Sequence, residues 1–200
     1  NLYPPKKAVL KYLKNRGLTD KIIKDSLIGI SEIGKYKNRV ILPYLVKNEL
    51  VFYIARDITG KAKNKYESPS SVMKDIFLIN EDIINWDNDL YIVEGGLDAI
   101  YNQTKSITLL GKYMSDYIFN LIYDKAQKDV YICLDDDAVE DIKILFNKLN
   151  GGVLYNRIKI VVFPKNKDMG DLHGDITGLP IANSIEEYEE ILNNKYEINK

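Results

Sequence analysis

The 200-residue chain has one cysteine and one histidine. Cys133 lies in the apolar run 130–134 and reads as a lone buried thiol, which excludes an internal disulfide and a multi-cysteine zinc site. With His173 alone, a histidine-based metal centre or catalytic triad is not expected. No apolar run reaches the roughly 20 residues needed to cross a membrane, and no secretory signal opens the chain. A cytoplasmic protein is expected. The chain begins at Asn1 rather than at Met and is expected to be a fragment or a processed product. Neither an internal repeat nor a low-complexity segment is present.

Apolar residues make up 46% and charged residues 28%, ordinary values for a folded globular protein. The length allows one sizeable core, or a small domain beside a medium one. A net charge of −1 hides an asymmetry. Residues 1–80 hold 16 Lys/Arg against 7 Asp/Glu, and residues 81–200 hold 12 against 22, so the two parts carry +9 and −10. Basic surface attracts phosphate backbones. Clustered carboxylates attract divalent cations.

Periodicity divides the chain similarly. Ala8, Val9, Tyr12 and Leu13 form a helical stripe that Gly17 can end, and Thr19 can cap a second helix through Ile22, Ile23 and Leu27. Residues 39–46 and 50–56 are β-branched and aromatic, which predicts a hairpin. Pro43 suggests that its first strand is an edge or carries a bulge. Residues 57–71 read as a loop and 72–89 as a connector holding the domain boundary. From residue 90 onward apolar runs at 90–93, 107–110, 130–134 and 158–163 alternate with helical patterns at 97–104, 115–126 and 138–149. That alternation predicts parallel βαβ units with right-handed crossovers. Ser184 and Glu187 make a capping box for a last helix.

Three of these four predicted strands lead into acids: Glu94-Gly95-Gly96-Leu97-Asp98, Asp135-Asp136-Asp137, and Lys167-Asp168-Met169-Gly170-Asp171. In an open parallel sheet, strand ends of one sense converge on one edge. Carboxylates gathered there repel unless a cation joins them. Mg²⁺ accepts one or two carboxylates together with waters and phosphate oxygens. Two such ions serve both oxygens of a phosphoryl transfer. A carboxylate held beside them, such as Glu94, suits general acid–base work.

These residues resemble the TOPRIM family, in which an apolar strand ends in a glutamate followed by Gly and, three residues on, Asp, and a later strand ends in Asp-x-Asp. The matching segments are Tyr91–Asp98 and Ile132–Asp137, about 40 residues apart. Within that family the chain resembles bacterial and phage DNA primases over roughly residues 8 to 172. Leu109–Lys112 with Ser115, Phe163–Asp168 with Asp171, Lys37–Pro43, and Ala55–Asp57 with Lys65–Pro69 look like primase segments, the last one residue shorter in spacing.

The resemblance implies an α/β TOPRIM domain, a parallel sheet flanked by helices, over residues 81–175. A smaller basic α+β subdomain would precede it over 1–80, and a carboxy-terminal helix or tail would follow over 176–200. It implies a DNA-directed RNA polymerase making short primers on single-stranded DNA from ribonucleoside triphosphates. Glu94 and Asp98 would be catalytic, with Glu94, Asp135, Asp137, Asp168 and Asp171 holding two or more Mg²⁺ or Mn²⁺ ions. Arg39, Arg56, Lys65 and Lys112 would contact nucleic acid or nucleotide, Lys112 standing where many relatives have a small hydroxyl residue. A replicative helicase would bind outside this segment. This segment is not expected to hold the amino-terminal zinc module of such primases, so no zinc is expected in it, nor the long carboxy-terminal helical region. Both point to a phage-type protein or a minimal core.

Three alternatives carry other expectations. A TOPRIM nuclease or topoisomerase fragment would cut nucleic acid with the same acids, yet none of the 15 tyrosines has a recognisable nucleophile context. A haloacid-dehalogenase-type phosphatase would use Asp135-Asp136-Asp137-Ala138-Val139 and Gly170-Asp171 through Asp175, and would leave Glu94, Asp98 and the basic half without a role. A silent TOPRIM module would only bind DNA or a replication partner.

Overall fold

The structure, a computed structural model, describes residues 7–31, 33–47, 49–69 and 78–197. The chain forms two compact units. One comprises residues 1–73 and 79–82, the other residues 74–78 and 83–200. The connector expected over 72–89 falls partly outside the described residues.

In the first unit, helix α1 (Lys7–Asn15) buries Val9 and Leu13 at helical spacing and ends where Gly17 turns left-handed at φ +79°. Thr19 starts α2 (Asp20–Asp25), its hydroxyl accepting the Ile22 amide at 3.2 Å. Strands β1 (Gly29–Ser31), β2 (Arg39–Val46), β3 (Glu49–Asp57) and β4 (Tyr66–Glu67) form an antiparallel sheet in that order. The β2–β3 hairpin carries a bulge at Tyr44/Leu45. Pro43 lies beside that bulge, but β2 is an inner strand rather than an edge. Proline is tolerated because β1 pairs with β2 only over residues 39–41, so no ladder bond is required of residue 43 on that side.

In the second unit, β5 (Leu90–Val93), β6 (Ser106–Thr108), β7 (Val130–Cys133) and β8 (Ile158–Val161) are mutually parallel, in the order β6-β5-β7-β8, with β9 (Ile181–Ala182) antiparallel at one edge. The intervening helices are α3 (Gly96–Ala99), which continues as a 3-10 turn to Asn102, α4 (Asp116–Lys125) and α5 (Val139–Leu149); α6 (Ile185–Glu197) follows β9. Leu90, Ile92, Val130, Ile132, Ile158 and Ile160 are buried in the main core, which explains why these strands are apolar nearly throughout. Ser115 caps α4 through the Ile118 amide, and the Ser184 hydroxyl accepts the Glu187 amide at the start of α6. The Glu187 carboxylate reaches back to the Asn183 amide at 2.7 Å, one residue before the position a capping box predicts. Tyr188 and Leu192 of α6 join the main core. Burial pushes the Cys133 thiol up, in keeping with an inert core residue. No helix among the described residues is long and apolar enough to cross a membrane.

The strand order positions the chemistry. The chain leaves β5 towards β6 on one side, then crosses to β7 on the other. The carboxyl ends of β5 and β7 therefore flank the place where the winding reverses, the usual ligand crevice of an open parallel sheet. Glu94 follows β5 directly, and Leu134-Asp135 follows β7.

Candidate active site

Glu94 sits on a tight turn whose shape depends on Asp98. The Asp98 carboxylate accepts the Gly95 amide at 3.1 Å, and the Asp98 and Ala99 amides donate back to the Gly95 carbonyl. A side chain at residue 95 would place its Cβ 2.5 Å from Asp98 Oδ2, so it would push the carboxylate off the Gly95 amide. The Thr108 hydroxyl, from β6, reaches the Glu94 carbonyl at 3.4 Å. Glu94 Oε2 is buried and has no hydrogen-bond partner, a costly state for a carboxylate. Burial, then the charge of Asp135, push the Glu94 carboxyl above its ordinary range; Lys112 opposes this, while Asp137 and Asp141 add to it.

The three successive aspartates after β7 have separate environments. Asp135 is half-buried. Burial, then the charges of Asp168 and Asp137, raise its carboxyl, and Lys112 works against them. Asp136 accepts the Asn166 amide at 3.0 Å and ties the β7 turn to the segment after β8. Asp137 is exposed and faces Lys112 Nζ at 3.3 Å, with Asp141 Oδ2 at 3.8 Å from the same ammonium. Burial works to lower the Lys112 pKa, but the hydrogen bond and charge of Asp137, with the charges of Glu94 and Asp141, outweigh it and leave the ammonium above its ordinary value. In the third acidic segment, Asp168 Oδ1 accepts the Asp171 amide at 2.6 Å. Farther along, His173 stacks on Tyr101 at 5.9 Å, and Asn102 donates to the Gly174 carbonyl at 2.7 Å.

Glu94, Asp135, Asp137, Asp168 and Lys112 thus act on one another electrostatically, whereas Asp98 shapes a turn and the exposed Asp171 gives its amide to Asp168. Among the described residues, no three acids stand close enough to enclose an ion by themselves. The donor set nevertheless suits a hard cation. A partnerless buried carboxylate oxygen and two carboxyls raised by burial and neighbouring acids are what such an ion relieves, and Mg²⁺ ordinarily completes its shell with water and phosphate oxygens. Asp136 and Asp141 did not stand out in the sequence. The signal for Asp141 was its place four residues after Asp137, which puts both within reach of one cation.

Arg39, Arg56 and Lys65 belong to the first unit. Arg39 is buried. Its guanidinium donates to the carbonyls of Ala55 at 3.1 Å, Asn64 at 2.9 Å and Lys65 at 3.4 Å, and to Glu67 Oε1 at 3.5 Å. It clasps the 64–67 segment rather than presenting a surface charge. Arg56 is buried too, hydrogen-bonded to the Tyr66 hydroxyl, with its guanidinium 4.8 Å from the Tyr66 ring and 5.9 Å from that of Tyr12. Arg56, exposed Lys65, Tyr12, Arg16 and Asp57 line an open cavity of about 350 Å³. In the sequence Tyr12 reads only as part of the apolar stripe of α1, and Arg16, just past that helix, belongs to no motif.

No protein-family model and no curated protein matches the chain. Solved structures do. The chain is similar to the zinc-binding and RNA polymerase domains of Aquifex aeolicus primase, at TM-score 0.69 and 17% identity over 95% of this chain and 60% of that one. It is similar to a DnaG catalytic core at TM-score 0.68 and 16% identity, covering 85% of this chain and 69% of that one. It is also similar to a DnaG primase catalytic domain bound to single-stranded DNA, at TM-score 0.65 and 17% identity, covering 83% and 69%. The chain therefore has the fold of a DnaG-type primase catalytic core, and spans between 60% and 69% of the length of these relatives.

Proposed function

We propose that this chain is the polymerising core of a DNA primase, joining ribonucleotides on a single-stranded DNA template by metal-dependent nucleotidyl transfer. The observation that carries the proposal is the pair Glu94 and Asp135, raised carboxylates at adjacent strand ends of the winding reversal. The primase-core fold supports it, as does the single-stranded DNA bound by one of the similar structures. A nuclease could use the same acids, but the likeness is to primase cores.

Glu94, Asp135 and Asp168 are assigned the metal, with Asp137 available to a second ion. Bound there, the metal would polarise the α-phosphate and lower the cost of ionising the attacking 3′-hydroxyl. Glu94, held beside that metal, would exchange a proton with that hydroxyl or with the leaving oxygen. Asp98 keeps Glu94 in place by fixing the Gly95 turn. In the first unit, Arg16, Arg56 and Lys65 are assigned to phosphates and Tyr12 to stacking, since a cationic cavity with an aromatic wall suits nucleotides. Arg39 is assigned a structural role. A helicase partner, if used, would bind elsewhere in the parent protein.

The test is incorporation of labelled ribonucleotides on single-stranded DNA with Mg²⁺ or Mn²⁺. Short products support the proposal. Metal-dependent cutting of the template without synthesis would move the chain to the nuclease reading, and hydrolysis of a simple phosphomonoester to the phosphatase reading.

A further inference from the structure

We infer that Lys112 is a built-in cation of the acidic edge, which a divalent ion must displace from Asp137 before the site is complete. The inference rests on the metal-dependent reading above. Lys112 Nζ stands 3.3 Å from Asp137 Oδ1 and 3.8 Å from Asp141 Oδ2. These acids come from different places, the turn after β7 and the first turn of α5, and one ammonium serves both. The loop after β6 adopts unusual backbone angles immediately before it: Leu110 at φ +54° and Gly111 at φ +147°. A left-handed leucine is disfavoured and persists only where the surroundings impose it.

The three aspartates after β7 divide their work accordingly. Asp135 faces the charges of Glu94 and Asp168, Asp136 holds the Asn166 amide, and Asp137 holds Lys112. Without an ion, Lys112 relieves part of the repulsion among these acids. An ion at Glu94 and Asp135 would meet that ammonium as a like charge. The pair is well exposed, with side-chain accessibilities of 36% for Lys112 and 80% for Asp137, and exposed ion pairs hold weakly. The four-carbon stem lets the ammonium swing away. Lys112 thereby lowers the affinity of the edge for divalent ions and steadies it in their absence.

Calorimetric titration of Mn²⁺ into the whole chain tests this, comparing wild type with Lys112→Ser, Lys112→Gln, Lys112→Arg and Asp135→Asn. Both neutral variants are expected to bind Mn²⁺ roughly tenfold more tightly, the size of one charge removed about 5 Å from a divalent ion in a water-like dielectric. Lys112→Arg should stay near wild type. In chelator the neutral variants should melt below wild type, and the gap should close as Mn²⁺ is added. Equal or weaker Mn²⁺ binding by both neutral variants would overturn the inference while leaving the metal site intact. Binding by wild type that is absent, or unchanged by Asp135→Asn, would overturn the metal site itself and the role of Lys112 with it.

Discussion

The two units treat buried charge in opposite ways. In the antiparallel unit, Arg39 is enclosed by three carbonyls and Glu67, and Arg56 lies against the rings of Tyr12 and Tyr66. Arg39 is matched by the chain's own groups and stiffens the structure, and Arg56 rests on the Tyr66 hydroxyl and the two rings. In the parallel unit, Glu94 has a buried oxygen with no partner, and Asp135 and Asp168 repel across adjacent strand ends. Matched charge is architecture; unmatched charge at a strand end is a site awaiting something.

That contrast breaks most visibly at Glu94. Glu94→Gln keeps the shape but removes the titrating oxygen, and synthesis should fall about 10²- to 10⁴-fold in a primer assay. Arg39→Ala should act in the opposite currency. It leaves buried carbonyls and Glu67 without their cation, so the urea midpoint should fall by an amount equivalent to about 3 kcal/mol.

The two units also differ in what the sequence disclosed. Strands β5 and β7, the caps at Thr19 and Ser115, and the acids after three of the four parallel strands were legible because apolar runs, cap chemistry and strand-end placement are local or follow from topology. Strands β1, β4 and β9 were not, being two or three residues long and existing only because a longer strand lies beside them. Arg39 read as a surface cation because its burial depends on residues 64–67 folding back over it, a contact 25 to 28 positions away. Lys112 read as a nucleotide contact for the same reason: its partners lie 25 and 29 positions downstream, behind a loop with two residues at positive φ.

A smaller effect sharpens the comparison through pH. Glu94 and Asp135 bind protons more tightly folded than unfolded, since burial and neighbouring acids raise both. Their contribution to stability is therefore most favourable below the ordinary carboxylate pKa, and is lost as pH rises through the raised folded values. Asp135→Asn removes that loss. In chelator at pH 7 it should melt a few degrees above wild type, and at pH 3 the difference should vanish. The smallest change is expected at exposed Lys65. Lys65→Ala should weaken single-stranded DNA binding modestly and reduce the slope of log affinity against log salt by about 1, as loss of one phosphate contact requires.

The most direct test of the account measures two properties of one variant, primer synthesis and single-stranded DNA affinity in Asp135→Asn. The account predicts that synthesis is abolished while affinity stays within about threefold of wild type, because it assigns the phosphate contacts to the basic unit. Full synthesis with weakened binding would contradict it and would make the acidic edge a binding element instead of the place where the bond is made.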